Sequence, residues 1–454
     1  MRKVQEEFRA ALKTRQDQHQ DTTGASEPVD DGIPFPPLLG RGGPTFGHDP
    51  DEVYLEDIEL SPDQEDACHL LLKKFFDEDE QELELSGPAG SGKTTLVRDV
   101  IRRIEEEYGT YVHLLTPTGR AAVRLCQVTG RPVATIHSVL YGGPTRDAKG
   151  NLVWSDPGPP CSAGEVVVVD EASMVGGKLA DAIRGVMPAD SKLLAVGDKE
   201  QLPPVKDTWG FNLGDPTALL TKIHRQAAGN PIIAMATAIR EDRFDEWADE
   251  YGFDDERLCA LEGYDTALEW AVERAKKDAD AVCLVFTNRL RQRLNREIRV
   301  GVGLPADDVL VAGDKLLVRV NNRRVGVMNG EVFTVESVEE RPGEADVYGS
   351  SRVVEVYVEE TDQPLLINMD HFNGDRNAWW EWKKLTSRRD QRWVHCHHGW
   401  ALTVHSAQGS QWDDVAFLWD RSFSRLGERN PDDARRMLYT AVTRAAKNLA
   451  VVTV

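Results

Sequence analysis

The sequence predicts an α/β protein of two open parallel-sheet domains, with a small all-β unit inserted in the second. Three observations lead there. Short, continuous apolar runs (166–169, 192–196, 281–286 and 415–418) alternate with segments of helical period. Such runs suit strands buried on both faces of a sheet. A glycine-rich loop stands between a strand-like segment, 82–86, and a helical one in which Leu96, Val100, Ile101 and Ile104 recur. The texture then changes between about 309 and 395, where KLLVRV, GEVFTVESV and RVVEVYVEE alternate apolar with polar residues between turns, as a small barrel requires.

In chain order, residues 1–55 read as a short polar helix followed by an extended linker rich in Gly and Pro. The first α/β domain is expected over 56–219. Ser61-Pro62 starts a helix over 63–76. The strand 82–86, the loop and its helix follow, then a strand at 111–115 and a helix at 120–128. Residues 141–164, rich in Gly and Pro, interrupt the pattern and read as an insertion with a hairpin around Lys149-Gly150-Asn151. Strands at 166–169 and 192–196 complete this domain. The second domain is expected over 220–308 and 396–454, with a strand at 281–286, a basic helix at 289–300, a strand at 415–418, a helix at 433–444 and a terminal strand at 449–454.

The formal charge of −22 argues at first against a polyanionic partner. Distribution decides where one could sit, and basic residues cluster at 98–131, 289–299, 319–324 and 383–392, away from the acidic stretches at 49–60 and 75–85. Each cluster alone reads equally as a solvated face. No apolar run approaches the ~20 residues of a membrane span, and the first residues carry no signal-peptide core. Six scattered cysteines without a C-x-x-C pair fit reduced thiols in the cytoplasm.

Gly87, Pro88, Ala89, Gly90, Ser91, Gly92, Lys93 and Thr94 match the phosphate-cradling pattern G-x-x-x-x-G-K-[ST], with Thr95 next. The glycines turn backbone N–H groups inward, and the helix adds its positive end. Lys93 is expected on the β- and γ-phosphates and Thr94 on Mg²⁺. Asp170, after the run 166–169, is placed to hold Mg²⁺, and Glu171 to polarise a water. Gln201, in the Gly197-Asp198-Lys199-Glu200-Gln201 turn, is placed to reach a γ-phosphate.

These segments stand in an order that resembles the superfamily 1 helicases of the RecD/Dda branch, from Leu60 to the C-terminus. Leu60-Ser-Pro-Asp-Gln64 resembles the Q motif, and Thr116-Pro117-Thr118-Gly119-Arg120 resembles motif Ia. Thr135-Ile136-His137-Ser138 resembles motif Ib, Asp170-Glu171-Ala172-Ser173 motif II, and the Gln201 turn motif III. Ile223-His224-Arg225-Gln226 resembles motif IV. Leu402-Thr403-Val404-His405-Ser406-Ala407-Gln408-Gly409 resembles motif V, and Tyr439-Thr440-Ala441-Val442-Thr443-Arg444 motif VI.

The resemblance implies two RecA-like motor domains, a pin hairpin at 141–164 and an SH3-like barrel at 309–395. It implies ATP and Mg²⁺ as cofactors, Gln64 on adenine, and Arg225 and Arg444 as arginine fingers. It also implies single-stranded DNA held by Pro117, Thr118, His137, Ser138, Thr403, His405, Ser406 and Gln408. The expected activity is 5′→3′ translocation and unwinding at single-strand/duplex junctions in replication, recombination or repair, with an ssDNA-binding or replication protein as a candidate partner. Gln411 departs from the Glu often found in relatives on the nucleotide sugar.

Two features stay open. Trp379, Trp380, Trp382 and Trp393 interleave with basic residues, which fits base stacking or packing of the barrel on the motor. His395-Cys396-His397-His398 lacks a second ligand pair at finger spacing, so no metal site is expected there.

Overall fold

A computed structural model describes residues 59–454, apart from 141–143, 147–151, 155–159, 205–206, 224–228, 278, 308, 323, 342–351, 375–377, 381 and 383–391. The expected N-terminal helix and linker lie outside the described residues.

The first domain is a sheet of six parallel strands with helices on both faces. Its strands are β1 (Glu82–Ser86), β2 (Val112–Thr116), β3 (Val133–Thr135), β6 (Val166–Val169), β7 (Lys192–Gly197) and β8 (Ala218–Leu219), in the order β3-β2-β6-β7-β1-β8. Between β3 and β6, β4 (Pro144–Arg146) and β5 (Leu152–Trp154) pair as an antiparallel hairpin inside the segment read as an insertion. The apolar run of β6 is explained by its two faces. Val166 and Val168 join a core with Leu71, Phe75, Leu96 and Val100, whereas Val167 and Val169 join another with Ile183, Leu193 and Phe211. A strand covered on both sides has no polar face to alternate with. The helix Pro62–Phe76 starts at a capping box, in which Ser61 N donates to Gln64 Oε1 at 3.0 Å.

The second domain begins with the helices Pro231–Arg240 and Phe244–Tyr251, whose Ile232, Met235 and Trp247 enter its core, and continues with β9 (Asp254–Asp255), β10 (Leu258–Glu262) and β11 (Ala281–Val285), after which the helix Asn288–Gly301 follows. The inserted β unit comes next: β12 (Lys315–Val318), β13 (Val332–Thr334), β14 (Ser337–Glu340), β15 (Val353–Tyr357), β16 (Leu365–Asn368) and β17 (Cys396–His398). These pair as two three-stranded antiparallel sheets, β13-β12-β17 and β14-β15-β16. Both contribute to one core through Leu316, Phe333, Val354, Val356 and Ile367. Since β17 pairs with β12, the unit runs past residue 395, the expected boundary. The domain closes with β18 (Ala401–Thr403), β19 (Trp412–Trp419) and β20 (Ala445–Thr453), in a sheet ordered β18-β11-β19-β20-β10-β9 and parallel except for β9. The helix before β20 spans Pro431–Val442, two residues short of the expected end, and Thr443 and Arg444 form the turn into the strand.

One helix fixes both ends of the insertion to the second domain. From Asn288–Gly301, buried Arg299 pairs with buried Asp314, Nε to Oδ1 at 2.5 Å, where the unit begins. Arg291 NH1 meets His397 Nδ1 at 2.9 Å where it ends. Asn295 Oδ1 accepts from the N–H groups of Trp400 and Ala401. Among the described residues, no helix is long and apolar enough to cross a membrane.

Candidate functional site

The phosphate loop follows from its neighbours in the sheet. Ser86 ends β1 beside Gly197 of β7, and Gly87 N donates to Gly197 O at 3.2 Å. The chain then turns through Gly90 and Gly92, with φ of 80° and 75°, a region open to glycine and strained for other residues. Gly92 precedes the helix Lys93–Tyr108, whose first-turn N–H groups have no partner within the helix. Amides freed by a glycine turn beside a helix N-terminus are the groups an anion site is built from. Lys93 lies over the loop, its Nζ donating to Gly87 O at 2.7 Å and Pro88 O at 3.0 Å. Thr94 and Thr95 are partly exposed at the mouth. Ser91 is buried and donates its hydroxyl to Pro88 O at 2.8 Å. Gln64 sits beneath rather than in front of the loop. Its Nε2 donates to Gly92 O at 3.2 Å while its Oε1 serves the helix cap, so in this arrangement it braces the loop.

Acidic groups converge on the same place. Asp170 follows β6 directly, and its Oδ1 accepts from Glu171 N at 2.8 Å. Burial, with the Glu171 charge second, pushes the Asp170 carboxyl up to about 6, while Lys93 pulls the other way. Glu171 has φ of 52°, the left-handed region that costs a side-chain-bearing residue of order 1–3 kcal/mol. Asp198, after β7, is buried; burial raises its pKa, and Lys93 again opposes. Gln201 is buried as well, and its Oε1 has no hydrogen-bond partner. A hydroxyl at Thr94 and a carboxylate at Asp170 fit a hard divalent cation that keeps most of its coordination for water and phosphate oxygens. No cluster of three or more metal-binding side chains occurs among the described residues.

The facing domain closes this cleft from the helix Pro431–Val442 and the turns around it. Arg444 is buried, with NH1 donating to Ser410 O at 3.1 Å and Nε to Thr440 O at 3.0 Å. Burial lowers its pKa, and the charge of Glu171, from the other domain, opposes that most strongly. Tyr439 Oη donates to Asp198 Oδ2 at 2.6 Å and accepts from Ala89 N at 3.0 Å. Arg435 NH1 pairs with Glu200 at 2.8 Å. Leu202 belongs to the first domain by sequence yet packs in the core of the second. Its N–H donates to Thr440 Oγ1 at 3.1 Å, and its carbonyl accepts from Gln408 Nε2 at 3.0 Å. Arg225 lies outside the described residues.

The residues expected on DNA fall into two groups. β2 and β3 end side by side, Thr116 opposite Thr135, which sets Pro117 and Thr118 next to His137 and Ser138. Thr118 Oγ1 accepts from Ala121 N at 3.3 Å as a helix cap, and Ser138 Oγ donates to Thr135 O at 2.7 Å. Across the cleft, Thr403 Oγ1 accepts from Ser406 N and shares a 2.9 Å bond with Ser406 Oγ. A Cβ on Gly409 would come within 2.9 Å of Thr118 Oγ1, so the two groups approach closely. Arg120 stacks on Trp412 of the second domain, 4.4 Å from the ring centre. His405 and His137 are exposed. Thr118, Ser138, Thr403, Ser406 and Gln408 thus all make internal bonds, and any strand contact would use their remaining lone pairs and the nearby backbone.

Trp379 and Trp393 are fully buried with Val320, Val353 and Leu366, all of the inserted unit, so these two rings pack inside that unit rather than between it and the motor. The basic residues from Lys383 to Arg389 lie outside the described residues. His397 is held by Arg291 and Gly374 O, its Nε2 3.0 Å from that carbonyl, which leaves its ring nitrogens engaged. Sequence reasoning attached chemistry in 439–444 to the arginine alone and passed over Tyr439, Thr440, Asp198 and Leu202. No local pattern marks them, because their partners stand hundreds of residues away.

Residues 59–256 match a family described as an AAA domain, and 398–452 match the UvrD-like helicase C-terminal domain. Among curated proteins, the chain is 28% identical over 375 residues to the ATP-dependent RecD2 DNA helicase of Deinococcus radiodurans, covering 80% of this chain and 45% of that protein. It is 25% identical to the ATP-dependent DNA helicase dda of Enterobacteria phage T4 (66% and 67% covered) and 26% identical to the RecBCD enzyme subunit RecD of Mycobacterium tuberculosis (81% and 66%). The chain therefore spans less than half of the first relative and about two thirds of the other two. A solved structure of a Pif1 helicase from Bacteroides, in complex with ADP-AlF3 and ssDNA, aligns over 87% of this chain and 92% of that one, at 18% identity and a TM-score of 0.49.

Proposed function

Since the chain belongs to the RecD/Dda branch of the superfamily 1 helicases, we propose that it hydrolyses ATP in the cleft between its two α/β domains and uses the resulting domain motion to move 5′→3′ along single-stranded DNA and separate duplex. The observation that carries this reading is the seam across the cleft, where Tyr439 of one domain bonds both Asp198 and the Ala89 amide of the phosphate loop in the other, and Arg435 pairs with Glu200. Buried Arg444 follows the same helix, two residues past its end, and the charge of Glu171 from the other domain favours its charged form.

In this reading the loop amides and Lys93 hold the phosphates, and Arg444 stabilises charge that builds on the transferring group. Glu171 orients the attacking water and takes its proton. Thr94 and Asp170 would hold Mg²⁺, which would supply positive charge against that of the phosphates. Gln201, with its buried unpartnered oxygen, reports the γ-phosphate; Arg225 is proposed as a second arginine finger and Gln64 as the adenine contact once nucleotide is bound. Pro117, Thr118, His137, Ser138, Thr403, His405, Ser406 and Gln408 line the proposed path of the strand. The hairpin β4–β5 is proposed as the element that meets the duplex fork. Junction DNA and an ssDNA-binding or replication protein are the proposed partners, and the six scattered cysteines without a C-x-x-C pair favour the cytoplasm.

The test compares wild type and Lys93→Ala on duplexes with 5′ or 3′ tails, alongside ATP turnover with and without single-stranded DNA. Unwinding of 5′-tailed duplex by the wild type alone is expected. Activity confined to 3′ tails reverses the polarity. DNA-stimulated turnover with no strand separation replaces unwinding by translocation alone, and an active Lys93→Ala chain overturns the site.

A further inference from the structure

We infer that Tyr439 is a positioning residue that ties the phosphate loop to the opposing domain, so that ATP turnover depends on closure; this rests on hydrolysis at the site proposed above. Tyr439 is 1% exposed and comes from the second domain. Both partners of its hydroxyl belong to the first: it donates to Asp198 at 2.6 Å and accepts from the Ala89 N–H, in the middle of the phosphate loop, at 3.0 Å. A tyrosine that merely fills a core needs one polar partner for its hydroxyl. Here the proton and a lone pair go to two separate elements of the other domain.

The surroundings make the bridge specific. Arg435 and Tyr439 stand four residues apart, on one face of a helix. Arg435 takes Glu200 at 2.8 Å, Tyr439 takes Asp198, and Thr440 takes the Leu202 N–H at 3.1 Å. One helix face therefore grips the turn 198–202 at three points and adds the phosphate loop through a single oxygen. When the domains part, that oxygen leaves Ala89 and Asp198 together. The loop then has an unpaired amide, and Asp198 loses the donor that favours its charged form.

Tyr439→Phe removes only the oxygen and keeps the ring that packs in the core. ATP turnover is measured for wild type and Tyr439→Phe, with and without single-stranded DNA, from pH 5.5 to 8.5. Losing a hydrogen bond to a charged group should lower the DNA-stimulated kcat roughly ten-fold, with KM for ATP held within about two-fold. Asp198 is already raised by burial and is pulled back by Lys93 and Tyr439, so the acid limb of the kcat profile should move to higher pH in the variant. Adding Tyr439→Phe to Asp198→Asn should then have little further effect. An active wild type with an unchanged kcat and pH profile in Tyr439→Phe overturns the inference, as does a change in KM alone. A wild-type chain that does not hydrolyse ATP refutes the proposed function itself, and this inference with it.

Discussion

Replacing Asp170 by Asn tests the carboxylate pair without any nucleotide. The Asp170 carboxyl stands at about 6 against an ordinary 3.8, through burial first and the Glu171 charge second. A raised carboxyl pKa means that the folded chain holds this proton more tightly than the unfolded one. As far as this group is concerned, stability is fully present below the unfolded value and is lost as pH rises through the folded one. At pH 8 the ionised carboxylate then costs at most about 3 kcal/mol. That is an upper bound, because one side of the group faces the cleft and is screened by water.

Asparagine has nearly the same shape and no charge. In urea denaturation, Asp170→Asn should therefore be more stable than wild type at pH 8, by roughly 1–3 kcal/mol. The gap should close as pH falls from 6 towards about 4. The variant should also lose hydrolysis, and Mg²⁺ with ADP should raise its stability less than that of the wild type, since the charge that a cation would neutralise is gone. A gap absent at pH 8, or one that widens towards acid, refutes the reasoning.

Glu171→Gln should bind ATP yet turn it over roughly a hundred-fold more slowly, read by single-turnover hydrolysis beside a nucleotide-binding titration. Gln408→Ala removes the bond to Leu202 O and should cut the stimulation of ATP turnover by single-stranded DNA about five-fold, as one buried neutral hydrogen bond allows, with basal turnover changed less. Arg299→Ala leaves Asp314 buried without its cation and should cost about 3–5 kcal/mol, seen as early unfolding of the inserted β unit by hydrogen exchange.

What the sequence discloses about the fold is what neighbours in the chain decide. The run 166–169 reads as a strand because burial on both faces removes the need for polar residues, and β6 has that environment. The backbone of the phosphate loop is legible for a similar reason, since Gly90 and Gly92 adopt conformations that other side chains resist. The end of the inserted unit is not legible. His395-Cys396-His397-His398 draws the eye as a ligand cluster, and only the distant pairing with β12 makes Cys396–His398 a strand. In the cleft the gap is wider still. Tyr439 and Ala89 are 350 positions apart, and Tyr439 and Asp198 241. No periodicity carries information over that distance, so their contact emerges only once both sheets are built.

The proposed link between nucleotide and strand runs through the length of one residue. Gln201 carries a buried, unpartnered oxygen, and Leu202 comes next in the chain. Leu202 cannot yield independently. Its side chain lies in the core of the second domain, its N–H is bound by Thr440 and its carbonyl by Gln408. Adjacent Cα atoms are held about 3.8 Å apart by a planar peptide. If Gln201 serves the γ-phosphate as proposed, a backbone shift there meets Leu202 as its next fixed point, whereas rotation of the side chain alone is absorbed. Such a backbone shift reaches Gln408, which continues the short turn that holds Thr403, His405 and Ser406. The proposed coupling needs no relay across the body of either domain, because one peptide bond joins Gln201, the proposed phosphate sensor, to a residue already seated in the other domain.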